Sequence, residues 1–364
     1  MLILNNDEIE SLISMDQALG LLEKAYQAQA DGRAVYRPRA DMYVPSPVEG
    51  GVYAFKSMEG GLADPPVAAL RLNSDVIHWE NRSGTIVKDK LPKAPGGKWV
   101  GLVLLFSSET GEPLAIFPDG VMQRLRVAAT SALAAARMAL PETPVMGMLG
   151  SGWQAGAHVP AMCAVRKIRR VQVFSPTKEH RERFAKEMAQ QTGVEVVAVD
   201  NAEAAAEGAE ILVAATNAAS PVVRAGWLRP GVHLTCVKDS ELGDETIRRA
   251  DRVVIHSRRF APENYIAGRE EKVEAHDPIE FLSGKTTAAR PLPPPFWTEA
   301  PELKDLIAGK ISGRESAGEI TCFINNIGLG LQFAALGAEA YQQARANGIG
   351  KEIPTDWFLQ SVHP

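Results

Sequence analysis

The spacing of hydrophobic positions predicts strands and one helix near the start of the chain. Residues 2–4 form a short apolar run, and Ser14 with Gln17 three residues later is typical of a helix N-cap. Residues 35–75 alternate between apolar and polar positions and are rich in Gly and Pro, which indicates strands joined by turns. Residues 81–98 are polar and basic, and they predict a surface loop.

Two apolar strands and an alanine-rich helix are predicted next. The run at 99–107 indicates a buried strand, and the turn-forming sequence SETGEP joins it to a second run at 114–117. Residues 122–139 predict a helix, which Pro141 and Pro144 end because proline cannot continue a helix.

From residue 145 onward, short apolar strands alternate with helical segments. The predicted strands lie at 145–149, 171–174, 194–199, 211–215, 232–237 and 252–256. This alternation indicates an α/β fold with a parallel sheet and helices on both of its faces. Residues 259–316 are proline-rich and irregular, and residues 317–343 predict one long helix.

Composition narrows the class of protein. The chain has 364 residues, with 39 Lys+Arg and 44 Asp+Glu giving a formal charge of −5. This length predicts two domains, and the mild acidity argues against a nucleic-acid surface. No apolar run approaches the roughly 20 residues of a membrane span, and the start lacks the features of a signal peptide. We therefore expect a cytoplasmic protein that binds neither nucleic acid nor membrane.

Cysteines and histidines give no sign of a metal site. Cys163, Cys236 and Cys322 are far apart and odd in number, which favours reduced thiols over a disulfide framework. The histidines form no HExxH pair and no cluster at zinc spacing, so we expect no metal.

A glycine-rich turn is the sharpest chemical motif in the chain. It is the G-x-G-x-x-A sequence that follows the strand at 145–149 and opens a helix, comprising Gly150, Ser151, Gly152, Trp153, Gln154 and Ala155. In such a turn, the first glycine permits the sharp bend and the second lets a pyrophosphate approach the backbone. The helix N-terminus then presents free N–H groups to the phosphates. The motif predicts a dinucleotide site, with a purely structural glycine turn as the alternative.

The residues after the second strand of this unit bear on the choice of nucleotide. NAD enzymes commonly hold the ribose 2′-hydroxyl with an acidic residue at this point. Here the strand ends in Ser175, followed by Thr177 and Lys178, with no carboxylate before Glu179. Ser175, Thr177 and Lys178 suit a 2′-phosphate, so we favour NADP(H), with NAD(H) as the alternative. They also suit a simple helix cap.

Several segments match one known family in order and spacing. They are LLF at 104–106, ETGEPLA at 109–115, RVAATSA at 126–132, LGSG at 149–152, AATN at 214–217 and GEITCF at 318–323. Over most of its length the chain thus resembles the ornithine cyclodeaminase/mu-crystallin family.

The resemblance implies a domain arrangement and a cofactor. A Rossmann domain at 143–316 would be inserted in an α+β substrate-binding and dimerisation domain formed by residues 1–142 and the returning helix and tail at 317–364. Family members use a nicotinamide cofactor, and Thr216, Asn217 and Val237 would contact it. The resemblance also suggests a homodimer, in which the apolar stretch 327–340 forms either the interface or core.

The family binds its substrate carboxylate with cationic side chains. Local context matches Arg39 and Arg126 to two family arginines, whereas both Lys56 and Arg71 are candidates for the family lysine. An Arg fork both anchors and orients a carboxylate, which explains the choice of residue. Four cations near one pocket also suggest a second anionic group on the substrate.

The chain departs from the family pattern where substrate would be selected. Asp119 stands one place later than the usual Asp-Gly, and the segment around Asp239 is several residues shorter than in the cyclodeaminases. Asp239 is the nearest candidate for the catalytic acid, with a helix N-cap as its alternative role. The segments 81–98 and 259–316 are longer than in typical members.

These features together predict an NAD(P)H-dependent oxidoreductase that acts on a 2-imino acid, a 2-oxo acid or an amino acid. Arg39 and Arg126 would bind the carboxylate, with Lys56 and Arg71 in substrate-binding roles and Asp239 and Lys56 in catalytic ones. The alternatives are a cyclodeaminase that retains NAD⁺ and a crystallin-like protein that binds NADP(H) without turnover.

Overall fold

The computed structural model describes residues 1–82, 85–218, 220–259, 262–274 and 296–362. Within these residues the strands form two sheets, one mixed and one parallel, with helices packed on them. This arrangement confirms the predicted α/β class with its parallel sheet. No helix of the described ranges is long and apolar enough to cross a membrane.

The mixed sheet contains eleven strands among the described residues, in the order β16-β15-β3-β4-β5-β7-β8-β1-β18, with β2 beside β4 and β6 beside β5. The strands are β1 (Leu2–Ile3), β2 (Ala34–Tyr36), β3 (Ala40–Pro45), β4 (Gly51–Leu62), β5 (Val67–Arg82), β6 (Thr85–Leu91), β7 (Val100–Ser107), β8 (Pro113–Pro118), β15 (Glu263–Ile266), β16 (Val273–Glu274) and β18 (Lys351–Glu352).

The second sheet is parallel throughout, in the order β11-β10-β9-β12-β13-β17-β14. Its strands are β9 (Val145–Leu149), β10 (Arg170–Phe174), β11 (Glu195–Ala198), β12 (Ile211–Ala214), β13 (His233–Cys236), β14 (Arg252–Ile255) and β17 (Thr321–Ile324). Strand order reverses between β9 and β12, and ligands bind at such a switch point, beyond the carboxyl ends of the strands.

The helices cover the two sheets. They are α1 (Asn6–Leu12), α2 (Met15–Ala30), α3 (Gly120–Met138), α4 (Trp153–Val165), α5 (Lys178–Thr192), α6 (Ala202–Ala206), α7 (Gly243–Arg248), α8 (Phe296–Glu299), α9 (Leu303–Ile307) and α10 (Gly330–Asn347). The predicted capping box is present at the start of α2, where Ser14 and Gln17 each accept from the other's backbone N–H.

Helix α3 connects the two sheets. It packs against α2 and α4 as well as against β13 and β17 of the parallel sheet. Its alanines at 128, 129, 132, 134 and 135 are fully buried. Such small side chains let neighbouring helices and strands approach closely, so the alanine-rich sequence suits a helix that is enclosed on most sides.

Two predicted elements are wrong. Residues 85–91 form strand β6, paired antiparallel with β5, where a surface loop was expected. The segment 317–343 is not one helix, because residues Thr321–Ile324 form β17 between β13 and β14, and α10 starts only at Gly330. These four residues are apolar or β-branched and lie between two parallel strands. As a strand they can pair their backbone N–H and C=O groups with both neighbours.

The segment 259–316 is only partly irregular. It contains β15, β16, α8 and α9, while residues 275–295 lie outside the described part of the chain. Strand β15 pairs with β3 of the mixed sheet, and β17 lies in the parallel sheet. Each sheet thus contains a strand from a segment that the sequence assigned to the other domain. The domain bounds at 142 and 316 stay a prediction.

Helix α10 is core, which decides between the two roles open for the stretch 327–340. Leu331, Phe333 and Leu336 are fully buried. The helix begins against β4, where a Cβ added to Gly330 would lie 2.0 Å from the Glu59 carbonyl carbon, and one added to Gly60 would lie 2.0 Å from the Leu331 nitrogen. Only glycine at both positions allows this approach.

We expect Gly330→Ala to destabilise the protein by about 1–3 kcal/mol, because the added methyl group meets backbone that cannot rotate away. The matched control is Gly20→Ala in α2, where nothing lies within 4 Å of the added carbon. That change should stabilise the helix by about 0.5–1 kcal/mol. Urea unfolding midpoints test both, and equal midpoints for the two variants would contradict the close approach.

Candidate functional site

The glycine-rich turn has the geometry that its sequence predicts. Strand β9 ends at Leu149, and Gly150 has a φ of +115°, which an L side chain rarely adopts. A Cβ at Gly150 would also lie 2.3 Å from the Ala215 carbonyl oxygen. Gly152 is the N-cap of α4, and a Cβ added there would have no atom within 4 Å. Ala155 is fully buried. The open glycine and the free helix end fit a dinucleotide pyrophosphate.

The other two residues of the turn differ in exposure. Trp153 is 55% exposed, at the start of α4. Gln154 has a buried side-chain Oε1 that no described residue hydrogen-bonds. A buried acceptor without a partner is costly, so this position suits a donor supplied by a ligand or water. Contact of either side chain with a cofactor stays a prediction.

Hydrogen bonds from Ser151 and Arg181 hold the loop after β10 in place. Ser151 donates to Ser175 at 2.8 Å, and Arg181 donates to the Ser175 carbonyl at 3.2 Å. Thr177 is the N-cap residue of α5 and Lys178 follows it, with both side chains exposed. A hydroxyl, an ammonium group and a helix N-terminus therefore lie together where the ribose of a dinucleotide would sit.

Glu241 ties two loops together at the carboxyl edge of the parallel sheet. Its carboxylate accepts from the Thr216 backbone and hydroxyl and from the backbone N–H groups of Val237 and Lys238, the latter two both at 3.0 Å. Burial raises the pKa of Glu241, while the bonds from Thr216 act against that rise. Glu241 thus fixes the Thr216 and Val237 backbones, and Asn217 follows in the same loop.

Asp239 lies at the same edge of the sheet. It begins a one-turn helix, Asp239–Glu241, directly after β13, and its side chain is half-buried. Its carbonyl accepts from the Leu242 N–H. The turn therefore sets Asp239 beside the loops that Glu241 holds, and its catalytic role stays a prediction.

Neighbouring strands of the mixed sheet collect the predicted cations on one face. In the pairing of β3, β4 and β5, Asp41 lies opposite Lys56 and Lys56 lies opposite Asn73. Arg71, Asn73 and Asp75 are two residues apart on β5, so their side chains point to the same side of the sheet. All five side chains are buried, at 7% exposure or less.

Three of the predicted cations are paired with carboxylates. Arg39 donates to Asp41, with 2.7 Å between Nε and Oδ1. Arg71 lies 2.7 Å from Asp119. This pair needs Gly101 beside it, because a Cβ there would meet the Asp119 carboxylate at 2.1 Å.

Lys56 shares its carboxylate with a second lysine. Its Nζ lies 2.8 Å from Asp75, and the half-exposed Lys90 contacts the same oxygen at 2.9 Å. Burial lowers the pKa of Lys56 to about 8, and the charges of Lys90 and Arg39 lower it as well, while Asp75 raises it. The pKa of Lys56 is thus shifted toward neutrality.

Arg126 is held differently. Its guanidinium donates to the side-chain oxygens of Gln123 and Gln332 and lies over the Phe333 ring, 5.1 Å from the centroid. Arg71 lies over the same ring at 5.7 Å. Burial and the charge of Arg71 lower the pKa of Arg126 to about 9, so the group is still protonated at neutral pH.

The structure brings the four predicted cations together. Arg39 is close enough to lower the pKa of Lys56, Arg71 and Arg126, after the larger effect of burial on each. Asp239 and the glycine turn belong to the other sheet. Substrate binding by the cations stays a prediction. In the described ranges, no group of three His, Cys, Asp or Glu side chains is arranged to hold a metal ion.

Sequence reasoning missed the residues that hold the site in place. The carboxylates Asp41 and Asp75 carried a usable signal, because each lies an even number of residues from a predicted cation: Asp41 from Arg39, just before β3, and Asp75 from Arg71 on β5. No sequence signal distinguishes Glu241, Gln123 and Gln332 from ordinary helix and turn residues.

Comparisons with known proteins agree with this arrangement. Residues 1–347 match the model of the Ornithine cyclodeaminase/mu-crystallin family. A Delta(1)-pyrroline-2-carboxylate reductase of Bacillus cereus is 27% identical over 367 residues, covering 97% of this chain and 99% of that protein.

Two solved structures are similar over nearly all of the chain. The Thermococcus litoralis Delta(1)-pyrroline-2-carboxylate reductase in complex with NADH and L-proline is 27% identical, with a TM-score of 0.75, and the match covers 97% of this chain and 100% of that one. An archaeal alanine dehydrogenase dimer with bound NAD is 26% identical, with a TM-score of 0.73, over 97% and 99% of the two chains.

Lys56 should lose its proton near pH 8, so its positive charge is present below that pH and absent above it. In protein with ¹³C-labelled lysines, we expect a Cε resonance that titrates near pH 8 and that is missing from Lys56→Arg. Asp75→Asn should lower this midpoint further, since Asp75 favours the charged form. A Lys56 midpoint near the usual value of about 10.4 would contradict the effect of burial.

Proposed function

The chain belongs to the Ornithine cyclodeaminase/mu-crystallin family and is a nicotinamide-dependent oxidoreductase of this family's type, and we propose that it reduces a 2-imino acid or the imine of a 2-oxo acid. The reverse reaction oxidises an amino acid. The bound nicotinamide would supply or accept the hydride at the α-carbon. The chain's own residues would bind the carboxylate, orient the carbon and move one proton at the nitrogen.

The buried guanidinium of Arg126 is the observation that carries this proposal. No carboxylate of the described residues pairs with it, in contrast to Arg39, Lys56 and Arg71. A buried cation without a counter-ion is stabilised by an anion, and a carboxylate matches the planar fork of arginine. We therefore assign the substrate carboxylate to Arg126, with Arg39, Lys56 and Arg71 lining the rest of the substrate site.

Asp239 is our candidate for the proton transfer. Reduction of an imine places a hydride on carbon and a proton on nitrogen, so an acid must lie at the nitrogen. Asp239 is half-buried at the sheet edge where the cofactor loops meet. Lys56, with its pKa lowered to about 8, is a second group that changes protonation near neutral pH, and we keep it as a catalytic candidate.

We favour NADP(H) over NAD(H) as the cofactor. Ser175, Thr177 and Lys178 replace the acidic residue that would repel a 2′-phosphate. The exposed ammonium group of Lys178 is at the N-terminus of α5, where an anion is favoured.

The activity is tested by following nucleotide oxidation at the nicotinamide absorbance with NADPH and NADH. Pyruvate, glyoxylate and oxaloacetate are offered with ammonia or methylamine, beside the cyclic imines of proline and pipecolate. We expect turnover that requires the amine or the imine, and a loss of about 10²–10⁴ in kcat for Asp239→Asn. Unchanged kcat in that variant would remove Asp239 as the acid. If no imine is reduced and L-ornithine is converted to proline and ammonia, the protein is a cyclodeaminase and not a reductase.

Lys178→Ala tests the choice of nucleotide. Loss of one charge-assisted contact should lower kcat/KM for NADPH about tenfold and leave NADH unchanged. Lys186 is also exposed and lies further along α5, so Lys186→Ala is the matched control and should change kcat/KM for neither nucleotide. Equal losses with both nucleotides, or a wild-type preference for NADH, would speak against a 2′-phosphate at this loop.

The predicted homodimer and cytoplasmic location stay predictions. The archaeal alanine dehydrogenase that this chain resembles is a dimer. In this chain, Val35 and Met42 on the mixed sheet are apolar side chains that are 69% and 44% exposed, which is compatible with a partner on that side.

A further inference from the structure

The partners of the four cations fall into two chemical classes. Arg39, Arg71 and Lys56 each contact a carboxylate, which cancels charge as well as fixing geometry. Arg126 contacts two amide oxygens, those of Gln123 and Gln332. An amide oxygen orients a guanidinium by hydrogen bonding and leaves its full charge in place.

The hydrogen bonds of Arg126 to the described residues leave two of its N–H groups unused. Gln123 accepts from Nε and Nη2, at 3.0 and 2.6 Å, and Gln332 accepts from Nη1 at 3.0 Å. Three of the five N–H groups are therefore used, and no described residue takes the remaining N–H of Nη1 or of Nη2. One remaining N–H on each of two nitrogens of a guanidinium suits a single carboxylate, which arginine binds in a bidentate way.

The orientation of Gln332 follows from a buried chain of hydrogen bonds. His256 Nδ1 must donate to the Ile327 carbonyl, so in the neutral ring its Nε2 accepts from the Tyr26 hydroxyl at 2.8 Å. The Tyr26 oxygen then accepts from Gln332 Nε2 at 2.9 Å, and Thr130 accepts from the same nitrogen at 2.8 Å. The amide nitrogen of Gln332 is thereby committed, and its oxygen faces Arg126.

This series of hydrogen bonds requires that His256 is neutral. Burial lowers the pKa of His256 to about 3, so the ring is neutral at any pH at which the protein works. Burial likewise raises the pKa of Tyr26 above its usual value. The network therefore does not change protonation, and it holds one arrangement from His256 to Arg126.

We propose that Gln123 and Gln332 are positioning residues that hold Arg126, the one of these four cations that no described carboxylate pairs with, ready for the substrate carboxylate, and that the substrate is therefore an α-imino or α-amino monocarboxylate without a second acidic group. This inference rests on the proposed function and names its substrate class. The sequence predicted a second anionic group on the substrate because it shows four cations and does not show the carboxylates that pair with three of them. Arg39 and Arg71 are paired with Asp41 and Asp119, and Lys56 and the half-exposed Lys90 share the carboxylate of Asp75.

Gln123→Glu is the most direct test. It replaces an amide by a carboxylate of nearly the same shape. Gln123 accepts from Arg126 through its side-chain oxygen only, so the carboxylate keeps both acceptor contacts. The new carboxylate would compete with the substrate for Arg126. We expect KM for the imino acid to rise at least about tenfold, with kcat within about twofold and the nucleotide KM unchanged.

Two further variants make the result specific. Gln332→Glu should raise KM in the same way, although it also removes donors to Tyr26 and Thr130 and is checked for folding by its urea midpoint. Gln17→Glu is the matched control, since it adds the same charge on the exposed start of α2, where Glu also completes a capping box. We expect it to be kinetically silent.

The substrate class is tested on the wild type. With methylamine present, kcat/KM for pyruvate should exceed that for oxaloacetate at least about tenfold, because only the latter brings a second carboxylate. Equal or better use of oxaloacetate would overturn the monocarboxylate assignment, and a Gln123→Glu KM equal to that of Gln17→Glu would overturn the positioning role. Either failure with an active wild type leaves the proposed function standing. A wild type that neither turns over any imine nor binds L-proline by calorimetry would overturn both.

Discussion

Burial of several positive charges on one face of a sheet is the constraint on which the rest of this structure depends. Removing a cation from water is costly unless it is paired or hydrogen-bonded, so each one requires its own partner. Asp41, Asp75 and Asp119 meet that requirement from the adjacent strands and from the start of α3. Arg126 is the exception, and its cost is reduced by two amides and by the face of an aromatic ring.

The hydrogen bonds that hold Arg126 also join distant parts of the chain. Tyr26 lies on α2, Thr130 on α3 and Gln332 on α10, while His256 follows β14 of the parallel sheet. A fully satisfied buried network of this kind specifies one arrangement, because each broken bond would leave a buried polar group without a partner. The mixed sheet, with its cations, is thereby fixed relative to the parallel sheet that carries the dinucleotide turn.

Glu241 performs a comparable task at the cofactor side. Its carboxylate gathers four donors from the loops that follow β12 and β13, and these loops end at the edge where a nicotinamide ring would lie. The chain thus uses a buried acid to organise the backbone, and the half-exposed Asp239 lies two residues earlier at the same edge of the sheet. Two carboxylates so close in sequence have different environments, and environment decides which of them can exchange a proton with a ligand.

Local sequence determined the features that depend on a few neighbouring residues. The strand, Gly150 turn and α4 helix follow from apolar spacing and from the need for a positive φ, and the capping box of Ser14 follows from residues three apart. Matched segments identified the family and the four cations. Only the tertiary structure decided that residues 321–324 form a strand, because parallel neighbours on both sides supply its hydrogen bonds. It alone decided the partner of each cation as well: Gln332 reaches Arg126 across 206 residues of chain, and no local pattern records such a contact.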